Sequence, residues 1–462
     1  HFFPYTTLFR SNIGGSSNYN FRAESYAAGH KITLSGANRN YTARAMYTFG
    51  TGMKQNGWAF FGTIGYRWSN MNTAAVEGTF YNSLSYFLAL QKQFNERHSL
   101  NLATWGNPTE RAQQGASTDE AYWLANDRYY NPYWGYQDGK KRASRVVNNY
   151  EPTALLTWDF KINDRMKLTT SLLGKYAMYS STKLNYNGAQ NPAPDYWKNF
   201  PSAYYDVWDD VDRNWEYARI SWQDAYDYWT ASKHNRQINF DELYAKNYGL
   251  NADQKDAAYF IQAKHNNHIS MNLGSTFDWN IDNSTKWQMG LQLASNVGQH
   301  YVTIEDMLGA EYLHNVNNYA IGTYMPNDVR VQYDLRHFDG NPYSEANRVR
   351  KGDRYNYDYN LLMQRGGLWT TWTKDKGISH NFLSAKIGAQ QMWRDGKMEN
   401  GLFYNRPDEN GKMMNLSYGK SKKAHFLDGG FKMGTNLNLG GGSAIAMGVG
   451  YETRAPQANV AF

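Results

Sequence analysis

The chain has 462 residues, a formal charge of +7, an aromatic- and glycine-rich composition (Tyr 38, Trp 16, Gly 40) and no Cys. The lack of Cys excludes a disulfide scaffold and a thiolate metal centre. The basic residues are scattered or sit in short groups such as Lys140-Lys141-Arg142 and do not build the single basic face of a nucleic-acid module, so no nucleic-acid partner is expected.

No apolar run approaches the ~18–20 residues that a membrane helix needs. A mean hydropathy of −0.77 does not argue against membrane strands, because only alternate residues of such a strand face lipid. Residues 1–11 (HFFPYTTLFRS) read as a non-native, adapter-derived segment and are set aside. The chain is then expected to be an internal piece of a longer protein.

Two strands are expected within 30–50. From there the signal is period two. Trp58, Phe60, Ile64, Tyr66 and Trp68 share one parity against Thr63, Arg67 and Ser69. Leu84, Tyr86, Leu88 and Leu90 follow, and Asn95-Glu96-Arg97 turns the chain into Leu100 and Leu102. Leu156, Trp158, Phe160 and Ile162 lead to Asn163-Asp164-Arg165 and back through Met166, Leu168, Leu172, Tyr176 and Met178. Ile269, Met271, Leu273, Phe277 and Trp279 lead through Asp282-Asn283-Ser284-Thr285 to Trp287, Met289, Leu291, Leu293 and Val297. A fourth hairpin runs through Leu361 and Met363, turns near Asp375-Lys376-Gly377 and returns through Leu383, Ala385 and Ile387. A fifth joins Leu427–Leu439 to Ile445–Tyr451 through Gly440-Gly441-Gly442. Strands of about 10–17 residues are expected, longer than the ~5–6 of ordinary strands.

Between the hairpins lie long polar segments at about 107–150, 181–266, 303–358 and 395–422. Short turns therefore alternate with long loops, which gives a meander one quiet end and one elaborated end. Transmembrane barrels have that asymmetry. Aromatic residues such as Trp58, Trp68, Phe160, Trp279, Trp287 and Trp393 fall near strand ends on the apolar parity, as in an interfacial girdle. The fold class is thus all-β: an antiparallel up-and-down transmembrane β-barrel with long extracellular loops. Short helices are expected inside the loops, one after Thr303-Ile304-Glu305-Asp306, a capping-box-like start, and one over about 253–262.

The residues offer little chemistry. His265 and His268 read as rim positions. Asp209, Asp210 and Asp212 read as a solvated acidic loop and not as a Ca2+ site, which needs six to eight oxygen ligands. The triple glycine has no following helix or Lys-Ser/Thr and reads as a turn. No metal, cofactor or catalytic residue is expected, and the chain is not read as an enzyme. The loops are the binding candidates. Tyr130, Tyr133, Trp134 and Tyr136 crowd one of them and Tyr196, Trp197, Tyr205 and Trp208 the next, where rings suit stacking on sugars, peptides or chelates.

Several stretches resemble a known family. Gly14-Gly15 with Asn18-Tyr19-Asn20 is similar to the end of a TonB-dependent receptor's plug. Gly57-Trp58-Ala59-Phe60, Glu77-Gly78-Thr79-Phe80-Tyr81, Tyr86-Phe87-Leu88-Ala89 and Asn95-Glu96-Arg97-His98-Ser99-Leu100 resemble the large TonB-dependent receptors with an N-terminal carboxypeptidase-regulatory-like domain, related to SusC-like receptors. So do Asn131-Pro132-Tyr133-Trp134-Gly135-Tyr136-Gln137-Asp138-Gly139-Lys140 and Lys351-Gly352-Asp353-Arg354.

The resemblance covers about 12–462. It implies an incomplete barrel of about 13 of 22 strands, with 12–29 as the end of the plug and 30–462 as the partial barrel. It further implies a Gram-negative outer-membrane location and TonB-driven uptake of a nutrient (glycan, peptide or metal chelate) into the periplasm. The implied partners are the TonB complex, reached through an N-terminal part outside this chain, outer-membrane lipid and, for some members, a surface lipoprotein lid. The alternative is a soluble secreted β-protein that binds or cleaves glycans. The two differ in whether the apolar parity packs on a second sheet or faces outward.

Overall fold

The computed structural model describes residues 19–204, 215–252 and 256–458. One wall dominates it. β1 (Gly29–Gly36), β2 (Ala43–Gly50), β3 (Trp58–Ser69), β4 (Tyr81–Gln93) and β5 (His98–Gly106) come first. β6 (Thr153–Asn163), β7 (Met166–Tyr186), β8 (Tyr259–Asn280) and β9 (Thr285–Asp306) continue it. β10 (Arg354–Lys376), β11 (Ser379–Gly396), β12 (Ala424–Gly440) and β13 (Ser443–Glu452) end it. Each of these strands pairs antiparallel with the next, and among the described residues β1 and β13 are the two outer strands of the order.

The register explains why this sequence makes this sheet. Phe60, Leu90, Leu102, Leu156, Leu172, Leu273 and Leu293 stand opposite one another from β3 to β9. The neighbouring row on those strands is Ala59, Gln91, Asn101, Thr157, Ser171, Gly274 and Gln292. Successive side chains point to opposite faces, so a slip of one residue would exchange the two rows. One face is therefore apolar and the other polar or small.

In a soluble sandwich the apolar face would pack on a second sheet. Here Leu102 is 45% exposed, Met271 56% and Ile387 64%. An exposed apolar band of this kind is what a lipid-facing wall requires. Trp279, Trp287 and Trp372 lie opposite one another at one edge of the band, with the first two rings 6.1 Å apart. On the polar face Ser270 hydrogen-bonds Asn296, and Gln288 donates to Asp278.

The short connections after β4, β6, β8, β10 and β12 share one end of the wall, and the long loops share the other. The strands depart from the expected length in both directions: β1 and β2 have 8 residues and β5 has 9, whereas β8 and β9 have 22 and β10 has 23. Their upper parts leave the two-faced regime, since Tyr259, Phe260 and Ile261 are all buried. Both loop-helix expectations need correction for this reason. β9 runs on through Thr303 to Asp306 because Val302 and Ile304 join a buried cluster with Phe260 and Leu313. Of the helix expected over 253–262, residues 253–255 lie outside the described residues, a helix at Phe240–Ala252 precedes them, and β8 already starts at Tyr259. Leu361 and Met363 lie on the polar face, opposite Gly298 and Asn296, whereas Leu362, Leu368 and Trp372 take the apolar one.

The stretch before β1 is pinned to the polar face. The Arg22 guanidinium donates to both Asp159 carboxylate oxygens, at 2.6 and 2.8 Å. The Ala23 and Glu24 N–H groups donate to Asn101 Oδ1 and Gln91 Oε1, each at 3.1 Å. Phe21 stacks on Trp105 at 4.8 Å and Tyr26 on Phe61 at 4.0 Å.

Candidate functional site

The long loops fold into a packed cap at their end of the wall. α1 (Asp119–Ala125) starts where the Thr118 side chain accepts from the Ala121 N–H, and stops at Asn126 in the left-handed region. α2 (Trp215–Ala231) lays Ala218 and Trp229 inward. Trp229, Phe200, Leu124 and Tyr130 form the core between them. Beside it Trp134–Gln137 pairs with Lys140–Ala143 and, in parallel, with Ile238–Asn239. Gly135 permits that parallel pair, because a Cβ there would lie 1.8 Å from the Ile238 carbonyl oxygen.

α3 (Phe240–Ala252) is held to the wall by Asn247, which is fully buried. Its Nδ2 donates to the carbonyls of Tyr259, Met307 and Leu308 at 2.6, 3.0 and 3.1 Å. Its Oδ1 accepts from the Ala258 and Tyr259 N–H groups. One amide thus satisfies five backbone groups on two segments, Ala258–Tyr259 and Met307–Leu308, which a buried loop must otherwise leave unpaired. Nothing in the composition around Asn247 marks it out, and sequence reasoning missed it.

Charged groups join the loops. Glu77, in the β3–β4 connection, takes Lys141 at 2.9 Å and Lys233 at 2.7 Å. Burial pushes its carboxyl up, but the two ammonium groups outweigh that and hold it below the ordinary Glu range. Arg142 reaches Asp306 at the head of β9. Asp195 accepts from Ser117 Oγ at 2.9 Å, and burial raises its carboxyl above the usual range.

The structure separates the aromatic candidates. Tyr130 and Trp134 are 3% and 1% exposed and serve as packing residues of the cap. Tyr130 Oη donates to the Arg236 carbonyl at 2.7 Å, and burial pushes the phenol up. The Trp134 indole fills the space over Gly78, where a Cβ would lie 2.1 Å from the ring. Tyr133 is half-buried under the Arg145 guanidinium at 4.3 Å, and Tyr136 stacks on His234 at 3.9 Å. Tyr196 meets Trp197 edge-on at 6.0 Å, and Trp197 is exposed. Tyr205, Trp208, Asp209, Asp210 and Asp212 lie outside the described residues.

Trp123 and Tyr129, from the same aromatic-rich loop as Tyr130 and Trp134, are exposed. Trp123 stands 5.6 Å from Tyr226, which stacks on Trp222 at 5.4 Å. This row can stack on planar or apolar ligand faces. His265 and His268 lie within β8, where His265 stacks on Tyr301 at 4.4 Å. Among the described residues no three His, Asp or Glu side chains group as a metal site.

Known structures share this architecture. The ferric citrate transporter FecA in its unliganded form superposes with a TM-score of 0.52 at 8% identity, over 91% of this chain and 43% of that one. The ferric-catecholate import receptor Fiu from E. coli K12, in its open form, gives 0.50 at 7% identity, over 89% and 52%. The chain therefore spans about half the length of these structures. No protein-family model matches the sequence, and no curated protein matches it. At this identity the likeness is one of fold: a wall of the outer-membrane receptor β-barrel type.

Proposed function

We propose that this chain is part of the barrel of a TonB-dependent outer-membrane receptor that imports a nutrient. The carrying observation is the pair of neighbouring rows, leucine on one face and polar or small on the other, under a cap built entirely at one end. The resemblance of the sequence stretches and the likeness to two iron-chelate importers support the same reading. In it the cap is extracellular, the short turns are periplasmic, and residues 12–29 are the last stretch of the plug. A surface lipoprotein lid on the cap belongs to the same proposal.

The cargo is held at the cap. Trp123, Tyr129, Tyr133, Tyr136, Tyr196 and Trp197 offer rings with Lys and Arg among them, which suits a glycan, a peptide or a metal chelate. No catalytic step is assigned to it. Growth of a strain with and without the gene, on limiting glycans, peptides or ferric chelates, tests the reading. Gene-dependent growth that also requires TonB supports it, and growth indifferent to TonB contradicts it.

A further inference from the structure

Several cations on the polar face of the wall are braced by a carboxylate. Asp159 takes Lys167 at 2.9 Å, Glu151 takes Lys175 at 3.0 Å and Asp428 takes Arg365 at 3.0 Å. Six others, just beneath the cap, are not. Arg44, Arg67, Arg111, Arg145, Lys183 and Lys264 have no ion-pair partner among the described residues.

The register brings these six together. Between β4 and β7 the upper wall is completed by the short strands Thr109–Ala112 and Val146–Tyr150. One polar-face row runs from Arg44 on β2 through Arg67, Ser83, Thr109 and Asn149 to Tyr179 on β7. The next row toward the cap runs from Ser69 through Tyr81, Arg111, Val147 and Ser181 to Lys264 on β8. Lys183 stands one row higher, opposite Gln262, and feels the charges of Arg145 and Lys264. Six of the seven neighbouring segments from β2 to β8 thus supply one cation each. At ~4.8 Å per step they form an arc of about 29 Å, and the three rows span ~13 Å along the strands.

The arc is costly by itself. Arg44 and Arg67 stand directly opposite one another, and like charges so placed weaken a sheet. No carboxylate shares the first two rows. Arg67 Nε and Asn149 Oδ1 in the first row and Ser69 Oγ in the second are buried without a hydrogen-bond partner, and each such group bears its full desolvation cost. Arg67 Nε needs an acceptor and Asn149 Oδ1 a donor. A ligand that carries both anions and hydroxyls meets both needs.

We infer that this arc binds a linear acidic oligosaccharide, with a carboxylate or sulfate on successive or alternate sugars. Its acid groups meet the guanidinium and ammonium groups in charge-assisted hydrogen bonds, which are the strong ones. Its hydroxyls pair with Asn149 and Ser69. Tyr81 and Tyr179, half-buried between the cations, offer ring surface to the sugars. A compact ferric chelate reaches only two or three cations of so long an arc, and a glutamate peptide brings anions without hydroxyls. The inference deepens the reading above by naming the class of cargo, and it rests on the polar face being the lumen.

The test is isothermal titration calorimetry of the protein purified in mild detergent, preceded by flotation with lipid vesicles. The probes are a galacturonate hexamer, a chondroitin sulfate hexamer, maltohexaose, a glutamate hexapeptide and ferric citrate. At least one acidic hexamer should bind about tenfold more tightly than the other three probes, and added salt should weaken it. Which of the two binds assigns carboxylate or sulfate. Arg111→Gln with Lys264→Gln should remove most of that preference, and Arg111→Lys should keep it. Arg97→Gln, on a short turn at the far end of the wall, should leave it unchanged. A heat-modifiable gel band confirms folding of each variant. Maltohexaose, the peptide or ferric citrate binding as tightly as the acidic hexamers would overturn the inference and leave the membrane reading intact. So would an equal loss in Arg97→Gln and in the double variant, which would mark a net-charge effect. Failure to float with vesicles would overturn the membrane reading itself, and the inference with it.

Discussion

The wall and the cap are built from the same residue types under different rules. In the wall, Leu273 and Leu293 share the apolar face, and a neighbour such as Gln292 is polar and on the opposite face. In the cap, Trp229 is the buried residue and Trp123, on the adjoining helix, is 59% exposed. A hydrophobic side chain is stable outside in one region and inside in the other. Hydrophobicity alone therefore does not tell what a residue contacts in this molecule; its element does.

The largest effect that would sharpen this contrast is expected in the cap. Trp229→Ala removes a ring from a small core and should cost the cap about 3–5 kcal/mol. Hydrogen exchange should then rise across α1 and α2 while β3 to β9 stay protected. Loss of protection along the wall as well would mean that cap and wall are one cooperative unit.

The wall has its own test. Leu291→Arg should cost ~2–4 kcal/mol in a bilayer, by analogy with lipid-facing midplane sites, and Gln292→Arg much less. Equal costs in a vesicle folding assay would break the assignment of faces. A smaller effect is expected at Gly290, where a Cβ would lie 2.2 Å from the Trp369 indole. Gly290→Ala should cost about 1–3 kcal/mol through overpacking, whereas Gly274→Ala, with open space, should be near neutral.

The smallest effect concerns pH. The Glu77 carboxyl lies below its ordinary value in the folded cap. Its contribution is therefore fully present above the unfolded Glu pKa and is lost only as pH falls through the lowered folded value. Protease nicking of the cap should rise in that acid window for the wild type. Glu77→Gln should show the nicking already at neutral pH and lose the acid step. An acid step that persists in Glu77→Gln would assign it to another carboxylate.

What the sequence revealed follows the same division. Alternation such as Ile269, Met271, Leu273 against Ser270, Asn272 gave the wall, its faces and its two unequal ends, because period two is enforced wherever one face meets an apolar phase. It failed where strands rise into the cap. Tyr259, Phe260 and Ile261 are buried on both sides, lose the alternation, and looked helical. Thr303 to Asp306 has capping-box spacing, yet Val302 and Ile304 are held in a core made by distant loop residues. Tyr130 and Trp134 were indistinguishable in sequence from the exposed Tyr129 and Trp123. Only the contacts to Trp229, Gly78 and Ile238 decide which rings are buried, and those partners are remote in sequence.

The central claim, that one parity of the wall meets lipid and the other the lumen, has a direct measurement. The chain has no Cys, so single thiols can be introduced at Leu102, Leu172 and Leu293 and at their neighbours Asn101, Ser171 and Gln292, spin-labelled, and read in vesicles. Labels on the leucine row should relax with dissolved oxygen and resist a water-soluble nickel chelate. Labels on the neighbouring row should do the reverse. The same response from both rows, or the opposite assignment, would contradict the account.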